Sequence, residues 1–235
     1  MEGYRAIGQI VHNAPHRITE ILYAQGMQKL DRINCPYRFI ALSQFSLMAL
    51  SRHPAGPLAV VTLPPGWDSA ELPMSIGNKI LILEDIQDPG NIGSLVRSAA
   101  AFDFSGIILS SKCADPFAPK SIQASCGAIV SLWLRKTQHY RGLMQKLKED
   151  GFRVLAADTG GKDWKPPYAA SKKLAIAFGN EGNGLMKETM QQADEIVRIP
   201  FHDENVESLN VAASGAICMY LSTLPHGDTG AAIAF

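Results

Sequence analysis

Polar side chains on three loops, among them Asn91 and Arg97 on the first and Glu207, Ser208 and Asn210 on the third, are of types that can bind a polar ligand. The first loop, Glu84-Asp-Ile-Gln-Asp-Pro-Gly-Asn-Ile-Gly-Ser-Leu-Val-Arg97, follows the apolar run at 80–83. The second, Gly179-Asn-Glu-Gly-Asn-Gly-Leu185, follows the run at 173–178, and the third follows the run at 195–199 and carries Glu207, Ser208 and Asn210. In an open α/β sheet, ligands bind in the crevice at the carboxyl ends of the strands. Three glycines within residues 179–184 put backbone in unusual conformations or bring it close to a ligand. Asn91 and Arg97 are six positions apart, about 240° round a helix. One site serves both only if the residue at the cap turns toward it.

The elements that must position these residues alternate. Residues 80–83 form an uninterrupted apolar run, as a strand buried on both faces requires. Further strands read at 106–110, 129–134, 152–157, 173–178 and 195–199, the last stopped by Pro200, which lacks the N–H a central strand needs. Helices read at 91–102, 119–125, 140–150, 185–193 and 209–221. The last carries the small residues Ala212, Ala213, Ser214, Gly215 and Ala216, so it packs at short range against a backbone or a ligand, with Ser208 or Asn210 as its N-cap. Strands alternating with helices of this length predict an α/β domain with a mainly parallel sheet over 79–235. Residues 1–61 read as a small mixed unit, with strands at 17–23, 37–42 and 57–61 and a helical turn at 46–51. Residues 62–78, rich in Pro and Gly without apolar periodicity, read as a linker, and the tail after Leu224 as frayed.

Composition narrows the classes. Apolar content of 46% with 19% charged residues is that of a soluble globular protein, and no run reaches the roughly 18 apolar residues of a membrane span. The start lacks a basic region followed by an apolar core, so no signal peptide is expected. Cys35, Cys113, Cys126 and Cys218 are scattered, without metal-binding spacing, which predicts reduced thiols in a cytoplasmic protein and no metal. Net charge is zero, but residues 1–61 hold six Lys/Arg against three acids, a mildly basic front suited to a polyanion.

Two other chemistries leave partial traces. Gly90-Asn-Ile-Gly93 after a strand has the look of a dinucleotide loop, but lacks the third glycine and a suitably placed acid about 20 residues on. The six histidines form no triad with a nucleophile; His202 beside Asp203 reads as loop solvation. Trp67, Trp133 and Trp164 read as packing residues.

Together, Asn91-Ile-Gly-Ser-Leu-Val-Arg97-Ser-Ala, Gly179-Asn-Glu-Gly-Asn-Gly-Leu185 and Ile199-Pro with Glu-Ser208-Leu-Asn210-Val resemble the three signature motifs of the SpoU/TrmH family, in the family's order. Members are S-adenosylmethionine-dependent RNA ribose 2′-O-methyltransferases of the SPOUT class. The resemblance covers 79–224, and residues 1–61 are more loosely similar to the small RNA-binding domain that often precedes it. It implies a parallel α/β sheet with a C-terminal trefoil knot, an exception to the general absence of knots. It also implies a homodimer with the active site near the subunit interface, and RNA, ribosomal or transfer, as substrate. The methyl donor would lie against Phe178, Gly179, Ile199 and Leu209. Arg97 matches the arginine assigned to the reacting hydroxyl, and Asn91, Glu181, Ser208 and Asn210 match the remaining polar positions.

Several positions depart from the family pattern. Seven residues separate Pro200 from Ser208, one more than the family has, and the usual glycine there is missing. Phe201 stands for Met, Asp103 for Gly and Ala55 for Gln. The alternative these departures keep open is a non-catalytic RNA-binding protein that retains the methyltransferase shell.

Overall fold

A computed structural model of the chain describes residues 1–31, 33–49, 51, 54, 56–164, 172–202 and 206–224. The tail after Leu224, Ala55, Asp203 and part of the long loop before Ser208 lie outside the described residues. The front unit begins with a helix, α1 (Tyr4–Asn13), followed by strands β1 (Ile18–Ala24) and β2 (Tyr37–Ile40), helix α2 (Leu42–Met48) and strand β3 (Leu58–Val61). Its three-stranded sheet runs β2-β1-β3, with β2 parallel and β3 antiparallel to the central β1. No element was expected before residue 17, yet Ile7 and Ile10 put α1's apolar stripe fully inside. The helical turn expected at 46–51 instead starts at Leu42, which buries Phe45 completely.

The larger unit holds β4 (Lys79–Leu83), α3 (Pro89–Ala101), β5 (Gly106–Ser110), α4 (Pro119–Ser125), β6 (Trp133–Thr137), α5 (Tyr140–Glu149), β7 (Arg153–Asp163), β8 (Leu174–Phe178), α6 (Lys187–Gln192), β9 (Glu195–Arg198) and α7 (Val211–Leu221). Its six strands are all parallel, in the order β6-β5-β4-β8-β7-β9. Both faces are covered, which is why β4 reads as unbroken apolar sequence. Leu81, Leu83, Ile107 and Leu109 join the cluster that includes α1, α3 and α7, while Ile80, Ile82 and Ile108 pack on α5. Each fully buried Leu or Ile contributes about 1.5–3 kcal/mol, so the central strands anchor the fold.

Two strand expectations are corrected. The strand expected over 129–134 begins only at Trp133, because Cys126 and Gly127 both take positive φ and turn the chain into a short 3-10 segment at Ala128–Val130. That segment docks the two units together: a Cβ on Gly127 would lie 2.6 Å from the Ala6 carbonyl oxygen, and Asn13 Nδ2 donates to Ser131 Oγ at 3.4 Å. β7 runs to Asp163, beyond the expected end at 157. Past a bulge it pairs Lys162 with Val197 and Asp163 with Arg198, and only a glycine fits at 161, where a Cβ would sit 2.7 Å from the Val197 nitrogen.

Residues 62–78 contain no helix or strand, but they are held along the edge of β6. The buried Arg135 guanidinium donates to the carbonyls of Glu71 and Pro65, the Lys136 N–H donates to Trp67 O, and Trp133 Nε1 donates to Ile76 O.

Candidate functional site

Pairing of β4 with β8 sets Leu83 beside Phe178, so the loops that follow these strands start side by side. The first loop ends where Asp88 caps α3, its side chain accepting from the Gly90 N–H. Lys120 Nζ lies 2.9 Å from Asp88 Oδ1 and, with the Gly90 N–H, holds this exposed carboxyl below the usual carboxylate range. Gly90 and Gly93 are therefore part of a capped helix, not of a phosphate loop. Gly93 instead admits α4, since a Cβ there would lie 2.3 Å from Ser121 O.

Asn180 shapes the second loop. Its Oδ1 accepts from the N–H groups of Gly182 and Asn183, its Nδ2 donates to Asp85 O, and its backbone exchanges hydrogen bonds with Gly184. Gly179 faces that return directly, and a Cβ on it would fall 2.1 Å from the Gly184 carbonyl carbon. The loop is fixed from below by Glu84, a buried carboxylate that accepts from the Met186 N–H at 2.6 Å and from the Thr189 hydroxyl.

Glu181 is carried to the tip of this loop and reaches back to the first. Its carboxylate accepts from Gln87 N and Asp88 N, each at 3.2 Å, and from Asn91 Nδ2 at 3.0 Å. Desolvation alone would raise its carboxyl. The hydrogen bond from Asn91 and those from the backbone outweigh it, and the pKa falls below the ordinary glutamate value.

The third loop joins through Asn210, which, of the two cap candidates, is the N-cap of α7: its Oδ1 accepts from Ala212 N at 2.9 Å and Ala213 N at 3.3 Å. The amide nitrogen of the same side chain donates to Asn91 Oδ1 at 3.2 Å. Beneath, α7 lies on α3 at short range, as its small residues predict: a Cβ on Gly215 would lie 2.2 Å from Leu95 Cδ2. Ser208 is not a cap, and its side chain stands exposed on the wall of the site.

A cavity of about 440 Å³ opens between the second and third loops. Phe178, Gly179, Glu181, Ile199, Ser208, Leu209 and Asn210 all line it. Asn91 does not, but its two side-chain hydrogen bonds tie it to Glu181 and Asn210, which do. Arg97 lies elsewhere. It sits on the α4 side of α3, exposed, with Nη1 3.5 Å from Cys126 Sγ and no ion pair among the described residues. The separation round the helix is physical: Asn91 and Leu95 face α7, whereas Gly93 and Arg97 face α4.

Three contributors were missed in the sequence. Asn180 and Glu84 build the second loop, and Asp158 lines the cavity with Oδ1 accepting from Gly160 N at 2.9 Å. The signal for Glu84 and Asp158 was available, since each acid lies at or one residue past the end of an apolar strand run, where loops meet ligands. Cys218 lies under the cavity, its thiol pushed up to about 12 by burial. His202 is exposed, and among the described residues no three His, Cys, Asp or Glu side chains cluster as metal ligands.

The model of the SpoU rRNA Methylase family matches residues 78–220. An uncharacterized tRNA/rRNA methyltransferase of Synechocystis is 32% identical over 173 residues, which make up 74% of this chain and 62% of that protein. The chain thus spans less than two thirds of that relative's length. Among solved structures, the SpoU methyltransferase AviRb of Streptomyces viridochromogenes, in complex with AdoMet, shares the fold with a TM-score of 0.76, at 22% identity, over 95% of this chain and 88% of that one. An RNA 2′-O ribose methyltransferase shares it with a TM-score of 0.72, at 22% identity, over 94% of this chain and 86% of that one. With three motif loops assembled at the ends of a parallel sheet and the family model matched across them, this chain belongs to the SpoU rRNA methylase family.

Proposed function

We propose that this protein transfers a methyl group from S-adenosylmethionine to a ribose 2′-hydroxyl of ribosomal or transfer RNA. The observation that carries the reading is the joining of all three motif loops through Asn91, beside a cavity of the size small ligands occupy. The donor is supported by the AviRb complex, the RNA class by the name of the Synechocystis relative, and the ribose position by the 2′-O ribose methyltransferase of like fold.

The cavity suits that donor. Glycines 179, 182 and 184 leave backbone as part of its wall, Phe178, Ile199 and Leu209 supply apolar surface for a base, and Asp158 and Glu207 give the acidic balance a cation favours. Phe178, Gly179, Ile199 and Leu209 would hold the donor. When bound, S-adenosylmethionine supplies an electrophilic methyl on a sulfonium, so in-line positioning accounts for much of the rate.

The ribose hydroxyl must lose a proton as it reacts. A guanidinium cannot serve as a base in a protein, and Arg97 does not line the cavity of its own chain. In this reading it therefore acts across the homodimer interface, where it stabilises the developing alkoxide and grips the adjacent phosphate. Its exposure and the lack of an ion pair among the described residues suit it to meeting RNA. Glu181, held ionised, fixes the Asn91 amide. Asn91 in turn fixes Asn210, and Ser208 stands exposed on the cavity wall, where it would meet a ligand. The reading includes the family's C-terminal knot, a homodimer with the site near its interface, an RNA-binding role for residues 1–61 and a cytoplasmic location.

Methyl-labelled donor incubated with total RNA lacking the modification tests this. Label recovered in RNA is expected. No transfer to any RNA by a chain that still binds RNA would replace the enzyme reading with the non-catalytic RNA-binding one.

A further inference from the structure

In the front unit, β2 is the outer strand, and its Tyr37 and Phe39 side chains are 44% and 47% exposed. Register places them on one face with Ile21 and Tyr23 of β1, both fully buried beneath α1. The apolar face of the sheet therefore continues past its helical cover and ends in an open aromatic ledge. The ledge is held in place. The Tyr23 hydroxyl accepts from Leu30 N at 3.2 Å, and its ring lies 5.3 Å from Phe39 at 33°. Tyr37 stands at 87° to Tyr23, and Lys29 Nζ sits 3.8 Å over the Tyr37 ring. Lys29 makes no ion pair among the described residues.

Exposed rings beside an unpaired cation suit a ligand that carries both a π-face and a phosphate. Every nucleobase has such a face, and stacking on protein rings is largely indifferent to sequence. The charge balance agrees, since residues 1–61 carry six Lys/Arg and three acids. We propose that Tyr37, Phe39 and Lys29 form a platform on which an unpaired base of the RNA substrate stacks while Lys29 meets its phosphate. This rests on the RNA reading above and names the surface through which the front unit would serve it.

The test measures the affinity of the full chain for a short unstructured RNA by fluorescence anisotropy, with donor binding by calorimetry as the check that the larger unit is intact. Phe39→Ala is expected to weaken RNA binding about ten-fold, and Tyr37→Ala with Phe39→Ala about a hundred-fold. Phe39→Leu keeps the packing but not the ring and should weaken binding nearly as much as Phe39→Ala. Phe39→Trp should retain affinity, with its fluorescence quenched as RNA is added. Lys29→Ala should reduce the slope of log affinity against log salt by about one. RNA affinity unmoved by these substitutions, in a chain that binds and methylates RNA, would overturn the platform alone. Variants that lose self-association while keeping RNA affinity would overturn it in favour of an interface between copies. A wild-type chain that neither binds nor methylates RNA would overturn the platform and the RNA reading together.

Discussion

Asn210 and Asn91 lie 119 residues apart and are joined by a hydrogen bond of 3.2 Å, Nδ2 to Oδ1. The other end of the Asn91 amide donates to Glu181, so one side chain is shared by the three loops that the family motifs specify. Each amide is used at both ends: Asn210 caps α7 with its oxygen and holds Asn91 with its nitrogen.

Removing the shared side chain should therefore be felt in both neighbours. Asn91→Ala is expected to lower stability by about 1–2 kcal/mol, toward the smaller end because the site is solvent-exposed. Methyl transfer should fall by about a hundred-fold as the loops lose their relative placement. Urea unfolding of Asn91→Ala, Asn210→Ala and the double variant should give a coupling of about 0.5–1.5 kcal/mol. Strict additivity would mean the bond holds nothing.

Glu181 makes one part of stability depend on pH. Its pKa is lower in the folded chain than the ordinary glutamate value of about 4.3. Its contribution is therefore fully present above that value and is lost as pH falls through the lower, folded one. The stability difference between wild type and Glu181→Gln should be constant from neutral pH to about 5, then shrink toward pH 3. A difference that grew on acidification would contradict the hydrogen bonding described.

Two aspartates adopt left-handed backbone, Asp85 at φ 55° and Asp103 at φ 61°, and they should respond oppositely to glycine. Asp103 is exposed and makes no described contact, so Asp103→Gly should stabilise by about 0.5–1 kcal/mol. Asp85 accepts from Ser110 Oγ at 2.6 Å and lies 3.6 Å from Lys112 Nζ. Asp85→Gly loses both and should destabilise by about 1 kcal/mol. Thermal unfolding of the two variants checks the contrast.

Glycine packing predicts a graded pair. At Gly179 the obstacle is the backbone of Gly184, so Gly179→Ala should abolish donor binding and cost about 2–3 kcal/mol. At Gly215 the obstacle is the end of the Leu95 side chain, which can move or be shortened. Gly215→Ala should destabilise by about 1–2 kcal/mol, in part relieved by Leu95→Val. Calorimetry with the donor and urea unfolding separate the two effects.

Thiol access should follow burial. Cys35, Cys113 and Cys218 are buried, and Cys126 alone is half-exposed, beside Arg97. A thiol reagent at neutral pH should label Cys126 in the native chain and the other three only after unfolding, with Cys218 further protected because burial holds it up to about 12.

Much of this was legible because the buried parallel strands have no polar face to disguise them. The runs at 80–83, 106–110 and 173–178 fall within a residue of β4, β5 and β8. The three motif loops were legible for a related reason: each follows such a strand, and glycines mark where backbone approaches backbone. α1 was not, because Gly8 interrupts a ten-residue helix whose apolar stripe is only Ile7, Ile10 and Val11. The end of β7 was hidden by Gly160 and Gly161, which read as loop, yet Gly161 is what permits close pairing with β9. Ile129 and Val130 look like strand and are core, but the left-handed turn at 126–127 places them against α1. Arg97 was not placed by its spacing alone: a site shared with Asn91 stayed open if Asn91 were the cap, but the cap is Asp88, so the two remain about 240° apart round the helix.

The measurement that bears most directly on the account is alkaline hydrolysis of RNA methylated with labelled S-adenosylmethionine by wild type and by Arg97→Ala. A 2′-O-methyl group blocks alkaline cleavage at its own phosphodiester. The account predicts label in alkali-resistant dinucleotides with wild type, and a loss of about a hundred-fold or more with Arg97→Ala. Label released entirely as mononucleotides would place the methyl on a base and contradict the ribose chemistry. Equal labelling by the two proteins would remove Arg97 from the reaction.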